Sequence, residues 1–318
     1  METSEYSAIK KWHLPSRLVI NILVIILGAF LVYFMVNLLI GGQCGAKCIL
    51  GTLTQTVRVA TPIALAAYCA VMCERAGVIN IGIEGQMLMI AYGTNVYLWN
   101  ALTASGMDPA SAGNTSRWLA LLAAVSGSAT LGMLHALTSI KFRADQIISG
   151  TVINILSVGI TGYLYRQFLA ADVPAGPGTF PVFDLPLLSE IPVLGRIFFQ
   201  GHKPLVYMML LLTFVIHYIL RYTPWGLRTH AVGEHPKAAD TLGIDVIRVR
   251  YINVLIGSLI AGLGGAWFTL EAVDVFNPVM TNGLGFIGLA AMIVGNWTAF
   301  GALFGALVFG LGTAIQPL

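Results

Sequence analysis

Charged residues are scarce in this chain of 318 residues: they make up 10% of it, whereas hydrophobic residues make up 57%. An ordinary soluble domain carries about 25% charged residues. Together with a mean hydropathy of +0.82, this composition excludes a soluble globular protein and indicates one polytopic membrane domain. The net charge of +3 is modest, so no nucleic-acid partner is expected.

The sequence also lacks the residue patterns of enzymes and motors. Its six histidines are scattered, without a Ser/His/Asp or His-x-x-x-His arrangement, so no catalytic residue is expected. His135 and His217 lie singly in apolar stretches and are interpreted as packed side chains. No lysine follows a glycine, which excludes the phosphate loop G-x-x-x-x-G-K-[ST]. Any ATP hydrolysis would therefore occur in another polypeptide, and no cofactor is expected in this one.

Cysteine is rare as well, with only the two C-x3-C pairs Cys44/Cys48 and Cys69/Cys73. No histidine accompanies either pair at zinc-ligand spacing, so no metal site is expected. The second pair lies in an apolar span and is interpreted as packing. The first lies in an expected outer loop, where a disulfide is one alternative.

Apolar stretches predict an all-α helical bundle with about nine membrane segments. A polar tail, 1–17, precedes the membrane domain, 18–318. In segment 251–272, the small-residue pairs Ser258/Gly262 and Ala261/Gly265 permit close helix packing. The expected segments are 18–40, 59–73, 76–99, 118–140, 146–170, 204–220, 251–272, 285–297 and 299–315.

Two of these segments, 76–99 and 285–297, are expected to be broken or re-entrant helices. The first is rich in glycine, and the backbone groups that a loosened helix frees need partners in lipid. The second is short for a full crossing.

Four polar side chains in these apolar surroundings are candidate pathway residues. A carboxylate at bilayer depth costs about 3 kcal/mol, so Glu84 should face protein or water. It is either a gating residue or a structural carboxylate bonded to nearby backbone. Asn80 and Gln86 leave the same alternatives open, and Asn154 could instead bond between helices.

The distribution of lysine and arginine predicts the orientation of the chain. It places the N-terminus and the polar segment 226–250 in the cytoplasm, the proline-rich loop 171–203 outside, and the C-terminus outside. Within 226–250, Pro236 suits the first position of a helix and Gly243 can end it. The small residues Ala238 and Ala239 between them would allow a partner to dock closely. The alternative is a plain solvated loop.

Several motifs resemble those of permeases from ATP-binding-cassette (ABC) importers of the ribose/branched-chain amino-acid type. Their cytoplasmic coupling segment is similar to GLRTHAVGEHPKAADTLGIDVIRVRY (226–251). The hallmark of their nucleoside and simple-sugar members resembles CERAGVINIGIEGQMLM (73–89). Further similarity lies in FRADQIISGTVINIL (142–156) and in 280–310. The family usually continues beyond the equivalent of 316–318 into a further span, so either a truncation or a topology shifted by one segment is expected.

The resemblance implies a multi-pass permease subunit of a nucleoside importer in the bacterial inner membrane, with simple sugars as an alternative substrate. Its implied partners are two cytoplasmic ABC ATPase domains, a second permease subunit (identical or different), an extracytoplasmic substrate-binding lipoprotein and the lipid bilayer. The implied ATPase contacts are Gly233, Glu234, Ala238, Ala239 and Gly243, and the residues implied near the pathway are Asn80, Glu84, Gln86 and Asn154.

A secondary transporter or channel that acts alone is the alternative from another class. Secondary transporters also contain paired broken helices, and 76–99 and 285–297 could form such a pair. Dependence on a partner ATPase through a coupling helix would distinguish the two functions.

Overall fold

The computed structural model of the chain describes residues 46–88, 91–168, 176–186, 188–277 and 279–315. The chain divides into two units, of which the smaller, 1–51 with 317–318, lies mostly outside the described residues. The larger unit, 52–316, carries the helices discussed below except for residues 46–51 of the first one, and the predicted all-α class is confirmed for it. The helices are α1 (Ala46–Arg75), α2 (Ile83–Met87), α3 (Ala91–Ala104), α4 (Pro109–Ala136), α5 (Gln146–Phe168), α6 (Leu194–Phe198), α7 (Pro204–Tyr222), α8 (Pro224–Glu234), α9 (Pro236–Thr241), α10 (Val246–Trp267), α11 (Leu284–Val294) and α12 (Ala299–Ile315).

Five helices in the described part of the chain are long and apolar enough to cross a membrane. They lie within Cys48–Arg75, Pro109–Lys141, Gln146–Phe168, Pro204–Tyr222 and Val246–Ala272. The second and fifth end in π-helical turns, Leu137–Lys141 and Phe268–Ala272, and α11 and α12 are shorter apolar helices. A polytopic helical bundle is thus confirmed. The expected span 18–40 lies outside the described residues, so the number of nine segments stays a prediction.

Two helices begin earlier than the charge pattern predicts. Helix α1 starts at Ala46 rather than at residue 59, and it contains Arg58, whose Nη2 donates to the Gly201 carbonyl at 2.6 Å. Helix α4 starts at Pro109 rather than at residue 118, because the Asp108 side chain accepts a hydrogen bond from the Ser111 N–H and caps the helix. Arg58 and Arg117, the charged residues just before the two expected starts, thus lie inside the helices, where each bonds a backbone carbonyl of another part of the chain.

Helix α1 is the centre of the larger unit. In its most apolar stretch 89% of the residues are buried, against 28% for α5 and for α7. Every side chain from Ala64 to Ala70 is fully buried. Most of them are alanines, so neighbouring helices approach the α1 backbone closely, and the one large polar side chain, Tyr68, bonds Thr213 of α7 at 2.5 Å.

Small residues bring α10 against two neighbours, as the sequence predicts. A Cβ added to Gly262 would lie 2.7 Å from the Val125 Cα of α4, and Ser128 of α4 donates to the Ser258 carbonyl at 2.6 Å. One turn further along α10, Gly265 lies directly on the carbonyl group of Met87 in α2. Helix α10 therefore packs the short helix α2 into the bundle.

We expect Gly265→Ala to destabilise the protein by about 1–3 kcal/mol, because the new methyl group would overlap the Met87 carbonyl and force α2 away from α10. The unfolding midpoint of the purified protein in detergent measures the effect. Gly159→Ala on α5 is the matched control, since a Cβ there meets open space. Equal midpoints for the two variants would contradict this packing.

Candidate functional site

The predicted break after α1 is present and begins at Gly77. Its φ of +76° ends the helix, and the Gly77 and Val78 N–H groups donate back to the carbonyls of Glu74 and Cys73. This is the glycine-terminated helix end known as a Schellman motif. The chain then turns through residues 78–82 and forms only the five-residue helix α2, so many of its backbone groups need partners from other elements.

The Glu84 side chain accepts hydrogen bonds from a distant part of the chain. Its Oε1 accepts hydrogen bonds from the Thr281 hydroxyl at 2.6 Å and the Gly283 N–H at 2.8 Å, and its Oε2 accepts one from the Gly285 N–H at 2.8 Å. These groups form the N-terminus of α11, where the helix dipole also favours a carboxylate. Glu84 is buried. The geometry therefore favours the structural alternative for this residue, and its role in a solute pathway stays a prediction.

Asn80 and Gln86 bond each other inside the bundle. The Asn80 amide nitrogen lies 3.3 Å from Gln86 Oε1, and the Gln86 amide nitrogen lies 3.5 Å from Asn80 Oδ1. Both residues are fully buried, beside the free thiols of Cys69 and Cys73. The pair therefore folds segment 80–86 back on α1, and its placement near a pathway stays a prediction.

Of the cysteine pair Cys44/Cys48, only one member lies within the described residues. Cys44 lies outside the described residues, whereas Cys48 is disulfide-bonded. No group of three His, Cys, Asp or Glu side chains in the described ranges could hold a metal ion.

Asn154 of α5 holds the break from the other side. Its Oδ1 accepts from the Gly85 N–H at 2.8 Å, and its amide nitrogen donates to the Ile81 carbonyl at 3.1 Å. One side chain thus bonds both a free donor and a free acceptor of the interrupted segment, as helix breaks in membranes require. The structure brings the predicted residues Asn80, Glu84, Gln86 and Asn154 together around segment 80–86.

Sequence reasoning missed the part that His135 plays at this break. Its two ring nitrogens lie 3.1 Å from the Ser149 hydroxyl and 3.0 Å from the Ile79 carbonyl. Gln146 Oε1 accepts from the Ile79 N–H at 2.7 Å. The only sequence signal was a lone histidine in an apolar stretch, which indicates a packed side chain. It is buried, as predicted, but it also bonds the backbone of the break.

Glu271 is a second buried carboxylate that the sequence did not single out. Its Oε1 accepts from the Leu205 N–H at 2.5 Å in the first turn of α7, and its backbone carbonyl accepts from Lys203 Nζ at 2.5 Å. Like Glu84, it binds the N-terminus of a membrane helix from a distant element. Its position at the end of an apolar segment was the only sequence signal.

The predicted coupling segment contains two helices, α8 and α9. Pro236 lies in the first turn of α9, as predicted. Gly243, with φ +79°, follows its end, and the Gly243 and Ile244 N–H groups donate to the carbonyls of Asp240 and Ala239. Val232, Ala239 and Val249 form a buried apolar cluster that joins α8, α9 and the start of α10.

The five predicted ATPase contacts lie on different faces of this segment. Glu234, Ala238 and Gly243 are exposed, whereas Ala239 is buried at 2% exposure. Gly233 packs so closely on the Arg75 carbonyl that no Cβ would fit. Ala239 and Gly233 thus also pack against other parts of this chain, and ATPase docking through any of the five residues stays a prediction.

Arg75 and its neighbours attach the segment to the membrane helices. Arg75 Nε donates to the Trp297 carbonyl at 2.8 Å, and Trp297 Nε1 donates to Glu74 Oε2 at 2.6 Å. Arg75 Nη1 lies 3.5 Å from Nδ1 of His230 in α8. Burial and the Arg75 guanidinium lower the pKa of His230, which favours the neutral ring, the form that can accept a hydrogen bond from Arg75. The end of α1, the α11–α12 turn and α8 thus meet at one point.

We expect Glu84→Gln to lower the free energy of unfolding by about 1.5–3 kcal/mol, the usual range for a hydrogen bond to a charged group. The glutamine amide would direct N–H donors at a helix N-terminus that itself presents N–H groups. Chemical denaturation in detergent measures the loss, with Glu190→Gln at an exposed site as the control. If both variants unfold like the parent protein, the carboxylate does not hold α11.

Comparison with known proteins places this architecture in a family. Residues 52–315 match the family described as "Branched-chain amino acid transport system / permease component". The guanosine ABC transporter permease NupQ of Bacillus subtilis (strain 168) is 40% identical over 262 residues, which are 82% of this chain and 80% of NupQ. The nucleoside ABC transporter permease NupC of Lactococcus lactis subsp. cremoris (strain MG1363) is 36% identical over 255 residues, 80% of this chain and 78% of NupC.

A third relative is named for a different solute. TsgC13 of Haloferax volcanii, whose name refers to glucose transport, is 34% identical over 267 residues, which cover 84% of this chain and 77% of its own length. The family match spans most of the chain, and all three relatives are named as ABC transporter permeases. The chain therefore belongs to the branched-chain amino acid transport system family of permease components.

Proposed function

We propose that the chain is the permease subunit of an ATP-driven bacterial importer for nucleosides, coupled to separate ATPase subunits through α8 and α9. The observation that carries the coupling is the direct attachment of α8 to the end of α1. Gly233 of α8 packs on the Arg75 carbonyl, and nearby Arg250, in the first turns of α10, donates from Nε to the Ala76 carbonyl at 3.2 Å. The interrupted segment begins at these same residues.

This attachment gives a motor a way to move membrane elements. The exposed face of the segment carries Glu234, Ala238 and Leu242, the last of which is 82% exposed. The buried cluster of Val232, Ala239 and Val249 joins α9 to α8, and Gly233 and His230 of α8 contact Arg75. Because close-packed interiors transmit displacement rather than absorb it, α8 and α9 would move the start of segment 76–88 as one body.

The proposal includes the other components of such an importer. Two cytoplasmic ATPase domains would dock on the coupling segments of a pair of permease subunits, identical or different. An extracytoplasmic lipoprotein would deliver the solute to the opposite side. The chain would lie in the bacterial plasma membrane with its N-terminus in the cytoplasm, which is the orientation that the lysine and arginine distribution favours.

The names of the relatives support nucleosides as the substrate class. NupQ is named for guanosine and NupC for nucleosides, and they are 40% and 36% identical to this chain. TsgC13, at 34%, keeps a simple sugar as the second candidate. Since all three are named as ABC transporter permeases, they favour an ATP-driven importer over a secondary transporter or channel.

We expect Ala238→Arg to reduce solute uptake at least about tenfold while membrane insertion stays normal. The long, charged side chain would occupy the docking face and keep the ATPase from it. The test uses cells whose own copy of the gene is replaced by the variant. Ala110→Arg is the matched control, since it also lies exposed in the first turn of a helix that begins with proline. Uptake by the Ala238→Arg strain at the parent rate would rule out this face as the coupling surface.

Competition experiments test the substrate class. Uptake of radiolabelled guanosine should require the gene and should be reduced at least about fivefold by excess unlabelled nucleoside. Excess glucose or leucine should leave it unchanged. If glucose competes and nucleosides do not, the sugar alternative replaces the nucleoside proposal. Gene-dependent uptake in membrane vesicles without ATP would instead point to a secondary transporter.

A further inference from the structure

A cavity of about 650 Å³ lies between α3, the C-terminal half of α5 and the loop that follows α10. Its size falls within the range of small-molecule sites. Aromatic rings line it from all three elements: Tyr97 from α3, Tyr165 and Phe168 from α5, and Phe276 from the loop. The rings of Tyr165 and Phe276 lie 5.5 Å apart at 41°.

Polar groups are few in this cavity. Thr94, Asn100 and Thr161 line it among the apolar residues. The Asn100 amide nitrogen donates to the Val96 carbonyl at 2.9 Å, while its Oδ1 has no hydrogen-bond partner among the described residues. A predominantly aromatic wall with a few polar atoms is the composition of sites for planar organic ligands.

The cavity continues the face of α5 that holds the interrupted segment. Asn154 and Ser157 contact Gly85, and Thr161 and Tyr165 follow at intervals of one helical turn on the same face. Tyr165 lies about 16 Å beyond Asn154 at 1.5 Å per residue. The cavity is therefore at the end of α5 that is remote from Gln146 and from the coupling segment.

We propose that this cavity receives the heteroaromatic base of the solute, with the base stacked against the rings of Tyr165 and Phe276, before the solute passes the interrupted segment. This inference rests on the proposed function, because it takes nucleosides as the substrate class. It adds a subsite in the permease itself that contacts the base rather than the sugar. Every base has an aromatic face, so stacking here accepts different nucleosides.

A lipid acyl chain is the competing occupant, since the cavity is apolar and opens between helices of a membrane protein. The two occupants differ in what they require of Tyr165. An acyl chain needs only apolar surface, which leucine also offers, whereas a stacked base needs the ring. Tyr165→Leu therefore separates them, and Tyr165→Phe keeps the ring while it removes the hydroxyl.

Photolabelling of the complete transporter, purified with its partner subunits and reconstituted in lipid nanodiscs, tests the proposal. The probe is 8-azidoguanosine, and the labelled peptides are identified by mass spectrometry. We expect adducts in 93–100, 161–168 or at Phe276, and excess guanosine should prevent their formation. Tyr165→Leu should reduce this labelling at least about fivefold, the lower end for the loss of a base–aromatic contact. Tyr165→Phe should keep it within about twofold.

Tyr218→Leu is the matched control. Tyr218 also forms a tilted ring pair, with Tyr222 at 5.7 Å, but it lies 61% exposed on α7, away from the cavity. Its labelling should equal that of the parent protein. Guanosine uptake by the parent complex separates the two proposals: without uptake the nucleoside function itself fails. With uptake, adducts confined to other peptides, labelling that guanosine does not displace, or full labelling of Tyr165→Leu would overturn the base subsite alone.

Discussion

The backbone of the interrupted segment 76–88 is the constraint on which the rest of this structure depends. A helix that stops inside a membrane domain leaves N–H and C=O groups that lipid cannot satisfy. Here side chains of neighbouring helices bond them. Asn154 bonds the Gly85 N–H and the Ile81 carbonyl, His135 bonds the Ile79 carbonyl, and Gln146 bonds the Ile79 N–H. In return Glu84, from the same segment, bonds the N-terminus of α11. The break is thus held on both sides: side chains of α4 and α5 bond its backbone, and its own Glu84 bonds the start of α11.

The same segment lies between the proposed coupling helix α8 and the aromatic cavity. It starts where Arg75 meets α8 and the α11–α12 turn, and it continues to Gly85, which lies against α5 below the aromatic cavity. A displacement of α8 would therefore reach Asn154 and Glu84 along a stretch whose Ile79 and Ile81 backbone groups bond α4 and α5. A solitary channel has no need of a rigid attachment between a water-exposed helix pair and the break in its membrane helix, whereas an importer driven by a separate ATPase does.

Local features of this fold could be predicted from the sequence, and features that depend on distant contacts could not. Glycine-rich apolar residues predicted the break after α1, and Pro236 and Gly243 predicted the bounds of α9. The partners of Glu84 lie 197 to 201 residues away, so no pattern near it could separate a pathway residue from a helix cap. The inward face of Ala239 likewise depends on Val232 and Val249, and a six-residue helix has too little periodicity to indicate which side is buried.

The two buried carboxylates show why a polar residue in a membrane span is weak evidence for a solute pathway. Glu84 and Glu271 each bond the N-terminus of an apolar helix that is distant in the chain, α11 and α7 respectively. Such a helix start exposes N–H groups that a carboxylate satisfies better than a neutral side chain, with the helix dipole adding to the attraction. The cost of burying the charge is then offset by donors that would otherwise be unpaired. By this reasoning, solute contacts belong to surfaces whose polar atoms are not already bonded within the protein. Asn100 Oδ1 in the aromatic cavity is such an atom among the described residues, whereas the amides of Asn80 and Gln86 bond each other.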